Sequence, residues 1–180
     1  LQVSALQADG DAILRPSGGE SQGRFGLRVN VPPGDGPVTG GRMTWDLVGR
    51  GELPAGDLRA EGNLQVEELA LSDPGLASVI GASPRVVALV TGTAGTPIRI
   101  QQFRAELAAG ALSANGTFDP SRDELALDVT AEVPDLAALS TLAGQALAGK
   151  VELTAHVAGP SGDPSARGQV IATGVTAAAQ

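Results

Sequence analysis

The stretch Glu124-Leu125-Ala126-Leu127-Asp128-Val129-Thr130-Ala131-Glu132-Val133 reads in alternation. Leu125, Leu127, Val129, Ala131 and Val133 fall on one side of an extended chain, with Ala126, Asp128, Thr130 and Glu132 on the other. That two-residue period is the mark of a strand with one dry and one wet face. The same period returns in both directions along the chain. Phe25, Leu27, Val29 and Val31 alternate with Arg24, Gly26, Arg28 and Asn30, and Leu58, Ala60, Gly62, Leu64 and Val66 alternate with Arg59, Glu61, Asn63, Gln65 and Glu67. Leu112, Ala114, Gly116 and Phe118 alternate with Ser113, Asn115 and Thr117, and Val151, Leu153, Ala155 and Val157 with Lys150, Glu152, Thr154 and His156.

Weaker strands are expected over Arg42–Val48, Val86–Thr93 and Ile98–Leu107. In the last, the apolar phase shifts from Ile98 and Ile100 to Phe103, Ala105 and Leu107, which predicts a bulge at Gln101–Gln102. Turn-forming runs separate these segments: Pro32-Pro33-Gly34-Asp35-Gly36-Pro37, Asp73-Pro74-Gly75, Asp119-Pro120-Ser121 and Gly159 to Pro164. Two helical interruptions are expected, one over Pro74–Ile80 and one over Asp135–Leu147, the latter with Asp135 as N-cap and an end at Gly149. The fold class is therefore all-β, a long sheet of stacked one-sided strands with one or two short helices.

Composition narrows the chemistry. The 180 residues carry 12 Lys plus Arg against 20 Asp plus Glu, a net charge of -8, which argues against a nucleic-acid partner. Hydrophobic residues make up 42% and aromatics only 2%, so Leu, Val, Ile and Ala must supply nearly all the apolar surface. There is no cysteine, hence no disulfide, thiolate nucleophile or Cys-type zinc site. The most apolar long stretch, Val133 to Gly149, is broken by Pro134, Asp135 and Gln145 and falls short of the ~20 apolar residues of a membrane span. The chain opens at Leu1 and runs out through Ala177–Gln180 without a change of pattern, and residues 1–180 are read as a single segment of a longer repeating β-domain.

Self-comparison points the same way. Leu58-Arg59-Ala60-Glu61-Gly62 is echoed by Leu112-Ser113-Ala114-Asn115-Gly116, and Glu68-Leu69-Ala70-Leu71 by Glu124-Leu125-Ala126-Leu127. Further on, Pro74-Gly75-Leu76-Ala77 answers to Pro134-Asp135-Leu136-Ala137, and Val87, Leu89, Ala94 and Gly95 to Val151, Leu153, Ala158 and Gly159. The order is kept, which defines degenerate repeats over about 58–110 and 112–175 with a period of roughly 55–65 residues.

Catalytic chemistry finds little footing. The single His156 lies on the wet side of its strand, Asp128 with Glu132 and Glu61 with Arg59 read as a solvated outer face, and Ser113, Ser121 and Ser140 lack a base and orienter in sequence. Gly92-Thr93-Ala94-Gly95 and Gly144–Lys150 lack the Gly-Lys-Ser/Thr ending of a phosphate loop and read as turns. Asn115-Gly116-Thr117 fits a glycosylation triplet but falls inside a strand. Trp45 and Phe118 are read as packing residues, with Met43, Trp45 and Leu47 on one face. No catalytic residue, metal ligand or cofactor is assigned, and the chain is expected not to be an enzyme.

A one-sided sheet must cover its apolar face with a second sheet, with helices or with a ligand. Helices are scarce here. The residues leave two options: closure into a β-helix or sandwich with a filled core, as in a structural solenoid or adhesin-like module that binds proteins, or a sheet that stays open around a ligand. A glycan-active β-helix enzyme would further need a carboxylate cluster on one face.

Three segments carry a family resemblance: Leu112–Phe118 through Asp119-Pro120 into Glu124–Val133; Pro134-Asp135-Leu136-Ala137-Ala138-Leu139 through Leu142-Ala143-Gly144 to Leu147-Ala148-Gly149-Lys150; and Val151–Gly159 followed by Asp163-Pro164-Ser165-Ala166-Arg167-Gly168. In these the second half of the chain resembles the TamB family of AsmA-like, bridge-type lipid-transfer proteins. The resemblance implies a curved sheet forming a U-shaped, taco-like apolar groove in the periplasm, an inner-membrane anchor elsewhere in the full-length protein, and an outer-membrane Omp85-type (TamA-like) partner. It implies phospholipid acyl chains as cargo, in service of outer-membrane biogenesis, either by moving phospholipids toward the outer membrane or by assisting outer-membrane protein assembly. The lining then expected is Phe25, Leu27, Val29, Leu64, Val66, Leu112, Leu125, Leu127, Val129, Leu153 and Val157. Nine or ten stacked strands ~4.8 Å apart would give such a groove a length of roughly 45 Å.

Overall fold

A computed structural model describes residues 5–13, 20–32, 37–52, 56–93 and 96–178, without the side chains of residues 5, 6, 20, 52 and 178. Residues 33–36 of the first predicted turn, and Ala94 and Gly95, lie outside the described residues. Alternating sequence becomes strand throughout: β1 (Ala5–Ile13), β2 (Glu20–Val31), β3 (Val38–Glu52), β4 (Asp57–Leu71), β5 (Arg85–Thr93), β6 (Ile98–Leu107), β7 (Gly110–Asp119), β8 (Glu124–Val133), β9 (Ala146–Pro160) and β10 (Ser165–Ala178). They form one antiparallel sheet in chain order, β1 to β10, with no crossover. The fold is all-β, a single curved sheet that stays open, with β1 and β10 as its edges.

Register is set by the hydrophobic pattern, because a one-residue slip would turn each dry face to the wet side. Leu127 pairs with Gly116 of β7 and Val157 of β9, and Val129 with Ala114 and Ala155, so apolar residues share a face from strand to strand. The phase change in β6 is accommodated where expected: its register shifts against both neighbours between Ile100 and Phe103.

Helix α1 (Pro74–Ile80) spans the predicted residues. Asp73 Oδ1 accepts a hydrogen bond from Leu76 N at 2.9 Å, Pro74 occupies the first turn where no N–H is needed, and Gly81 closes the helix at φ 80° with its N–H on Ala77 O. The second interruption is shorter than its sequence predicts. Asp135 caps it through Ala137 N at 2.8 Å, but only a 3₁₀ turn at Leu136–Leu139 and the single turn α2 (Ser140–Ala143) follow. Gly144 takes the left-handed conformation, and Ser140 Oγ accepts from Leu147 N at 3.0 Å. From Ala146 the chain is strand, paired with β10, so the expected continuation to Leu147 and the end at Gly149 give way to sheet.

These short helical pieces pack on one another at one margin of the sheet, where α1 also receives the β6–β7 turn through Ala108 N on Ile80 O and Ala109 N on Val79 O. The few buried apolar side chains described, Ala105, Ala109 and Leu136, belong to this half of the sheet and its helical margin. No second layer covers the rest among the described residues. Segments matched in the internal comparison differ in detail: residues 58–71 belong to the single strand β4, whereas 112–127 spans β7, a turn and the start of β8. Val87 and Leu89 lie on the face opposite to that of their counterparts Val151 and Leu153.

Candidate functional site, an uncovered apolar face

Residues directly opposite in neighbouring antiparallel strands project to the same side, so the pairings define rows across the sheet. One row runs Ala8, Leu27, Trp45, Leu64, Val86, Ala105, Leu112, Ala131, Leu153, Val170, one residue from each of the ten strands. A second runs from Gly10 and Phe25 through Phe103 and Val129 to Gly168. A third passes from Ala12 through Ala60, Ile100 and Leu127 to Val157 and Ala166. Apart from the Trp45 indole N–H, the one polar side chain on this face among the paired, described residues is Ser21, itself buried at 6%.

Charge goes entirely to the other face. The row beside the first reads Gln7, Arg28, Thr44, Gln65, Arg85, Glu106, Ala111, Glu132, Glu152, Ile171, and every charged side chain in the paired registers lies on that outer side among the described residues. The segregation follows from the alternation in each strand, kept in phase by nine consecutive antiparallel pairings.

The apolar face touches little but its own neighbours. Among the described residues no large side chain is fully buried, and Phe25, Trp45, Leu58 and Val170 are 39%, 38%, 53% and 62% exposed. Phe25 and Trp45 meet edge to face. The chain exposes 11281 Å², against the ~8,000 Å² expected of a compact monomer of 17.9 kDa. A single open layer explains the excess.

All eleven residues named from sequence as lining, Phe25, Leu27, Val29, Leu64, Val66, Leu112, Leu125, Leu127, Val129, Leu153 and Val157, fall on this one face. Pairing adds Val86 and Val90 of β5, Ile98, Ile100 and Phe103 of β6, and Val170 of β10. Residues Val86–Val90 are apolar throughout, so alternation could not assign them. Trp45 and Phe118 lie here too; Trp45, expected to pack, does so laterally on Phe25, with no second layer over it among the described residues and over a third of it open.

The residues weighed for catalysis lie on the outer face or in turns, except Ser140, which begins α2. His156 Nδ1 lies 2.9 Å from Asp128 Oδ1, with Arg167 opposite on β10, and the His156 and Asp128 side chains are 58% and 68% exposed. Ser121 Oγ donates to Asp119 Oδ1 at 2.6 Å, and the same oxygen accepts from the N–H groups of Ser121 and Arg122. The Ser121 hydroxyl, followed by these backbone donors and the nearby Arg122 guanidinium, holds the Asp119 carboxyl below its ordinary pKa of 3.8. No group of three or more potential metal ligands occurs among the described residues, and no helix described is long and apolar enough to cross a membrane.

Comparison with known proteins finds no family model, no curated protein and no solved structure that matches this chain.

Proposed function

We propose that this chain is a segment of a non-enzymatic lipid conduit, in which the apolar face of the sheet holds phospholipid acyl chains. The observation that carries the reading is the set of apolar rows that cross all ten strands without a charged residue. An apolar face of that extent on an open sheet calls for an apolar occupant. Each CH₂ removed from water contributes roughly 0.8 kcal/mol, so a sixteen-carbon tail gains on the order of 10 kcal/mol before ordering costs.

The same lining favours passage over fixation. Aliphatic side chains without hydrogen-bonding partners offer similar energy at successive positions, whereas fixed polar groups would hold a ligand at one place. Ten strands ~4.8 Å apart make a path of roughly 43 Å perpendicular to the strands. Together with the TamB-like features of the second half, this favours a periplasmic section of an envelope-spanning bridge. An inner-membrane anchor and an Omp85-type outer-membrane partner would engage other parts of the full-length protein.

The experiment is native mass spectrometry and lipid extraction of the purified chain, beside variants Leu127→Asp and Val129→Asp. Phospholipid is expected with the wild type and lost in both variants, which keep their strand signal in circular dichroism. Lipid retained equally by both variants, or absent from the wild type, would contradict the reading and favour a protein-binding module.

A further inference from the structure

The outer face holds an arrangement that simple strand pairing disfavours. Arg50 of β3 stands directly opposite Arg59 of β4. Directly opposed residues have Cβ atoms roughly 5 Å apart, and like charges in that relationship are destabilising. Arg24 of β2 faces Val48 and is therefore the diagonal neighbour of Arg50. Arg24 and Arg50 line a shallow cleft with Gln22, Gly23, Val48 and Asp11.

The arginines are exposed, and none has an ion-pair partner among the described residues, unlike Arg42, Arg104 and Arg122. Carboxylates are close without engaging them. Asp11 lies across from Arg24 and Glu61 two residues from Arg59 on the same face, while Asp57 accepts the Thr93 hydroxyl at 2.7 Å. Asp46 is likewise diagonal to Arg24, so what sets the place apart is the directly opposed Arg50–Arg59 pair, which no carboxylate bridges among the described residues.

We infer that Arg24, Arg50 and Arg59 form a binding site for a phosphate-type oxyanion on the outer face. A phosphate anion with two non-bridging oxygens directed at two planar forks relieves the Arg50–Arg59 repulsion and takes charge-assisted, bidentate hydrogen bonds. The Gln22 amide is a further donor at the same cleft, and Val48 and Gly23 give it an uncharged floor. The site lies on the side of the sheet away from the apolar rows, so its occupant is separate from a tail held there. The phosphate comes either from a lipid headgroup at a bilayer surface or from a free phosphate ester or ion, and the chemistry is shared.

The test is isothermal titration with inorganic phosphate at low ionic strength, with vesicle flotation on phosphatidylglycerol and on phosphatidylcholine. Saturable phosphate binding is expected, weakened at least tenfold in Arg50→Gln and Arg59→Gln and changed less than twofold in Arg28→Gln, which faces Thr44 outside the cleft. Flotation on phosphatidylglycerol alone, competed by phosphate, identifies the headgroup as the source; phosphate binding without flotation identifies a free anion. A thermal melt supplies an independent readout: Arg59→Gln should melt higher than wild type without phosphate and lose the rise that phosphate gives the wild type. Absence of saturable binding to either probe, or binding that Arg50→Gln and Arg59→Gln leave unchanged, overturns the site.

Discussion

Phe25 on β2 and Trp45 on β3 meet edge to face, their ring centroids 6.3 Å apart at 81°, yet each ring-bearing residue remains more than a third exposed. Aromatic pairs in folded proteins are ordinarily sealed by a second layer, and here lateral contact is present while no covering layer occurs among the described residues. That combination fixes the energetic character of the face. A side chain with neighbours on one level only contributes less to stability than one enclosed on all sides.

Phe25→Ala should therefore cost about 1 kcal/mol in urea denaturation, well below the roughly 3–5 kcal/mol of a fully buried phenylalanine. A cost in the upper range would mean that this face is enclosed in solution.

Gly116 on β7 has φ 151°, and a Cβ there would run into the Ala126 carbonyl of the neighbouring strand. Gly116→Val should lower stability by about 1–3 kcal/mol, since close backbone approach leaves no room for the branch. Equal denaturation midpoints for variant and wild type would show that β7 and β8 do not pair in this register.

Asp73 caps α1, and its replacement by Ala should cost about 1 kcal/mol while leaving the strand signal intact. Hydrogen exchange at residues 74–80 is the direct measurement, with protection expected to fall there first. Unchanged protection would remove the cap from the account of this helix.

The Asp119 carboxyl is held below its ordinary value by the Ser121 hydroxyl, then by backbone donors and Arg122. A folded-state pKa lowered in this way contributes stability above the unfolded value of about 4, lost as pH falls through the folded value. Asp119→Asn should thus differ from wild type by a constant amount above about pH 5 and approach it below pH 4. Parallel pH–stability curves down to pH 2 would contradict the assignment.

Much of this architecture can be read in the sequence, because alternation survives wherever the inward residues are large. Glu124–Val133, Ile98–Leu107 and Pro74–Ile80 match their expected bounds, and the doubled Gln101–Gln102 marks its bulge. The signal fades where the inward residues are small. In β1 the apolar face shows Ala8, Gly10 and Ala12, and in β10 Ala166, Gly168 and Ala172 surround Val170, so neither edge strand announces itself. Gly49 and Gly51 likewise hide the far end of β3. The helical spacing of Leu136, Leu139, Leu142 and Ala143 continues no further because Gly144 turns left-handed and β10 offers Ala146 and Leu147 a sheet partner. The apolar-face residues are legible as strand-by-strand dry faces; their union into rows depends on pairing in chain order, which no single strand specifies.

Trp45 is the only tryptophan in a chain without tyrosine, and it sits in the row that runs from Ala8 to Val170. Its fluorescence therefore reports directly on what covers the apolar face. Phospholipids brominated along their acyl chains should quench Trp45 and, unbrominated, shift its emission to the blue, with both effects abolished by Leu64→Asp, the substitution directly across from it. Emission that neither shifts nor quenches at saturating lipid would show that acyl chains do not occupy this face.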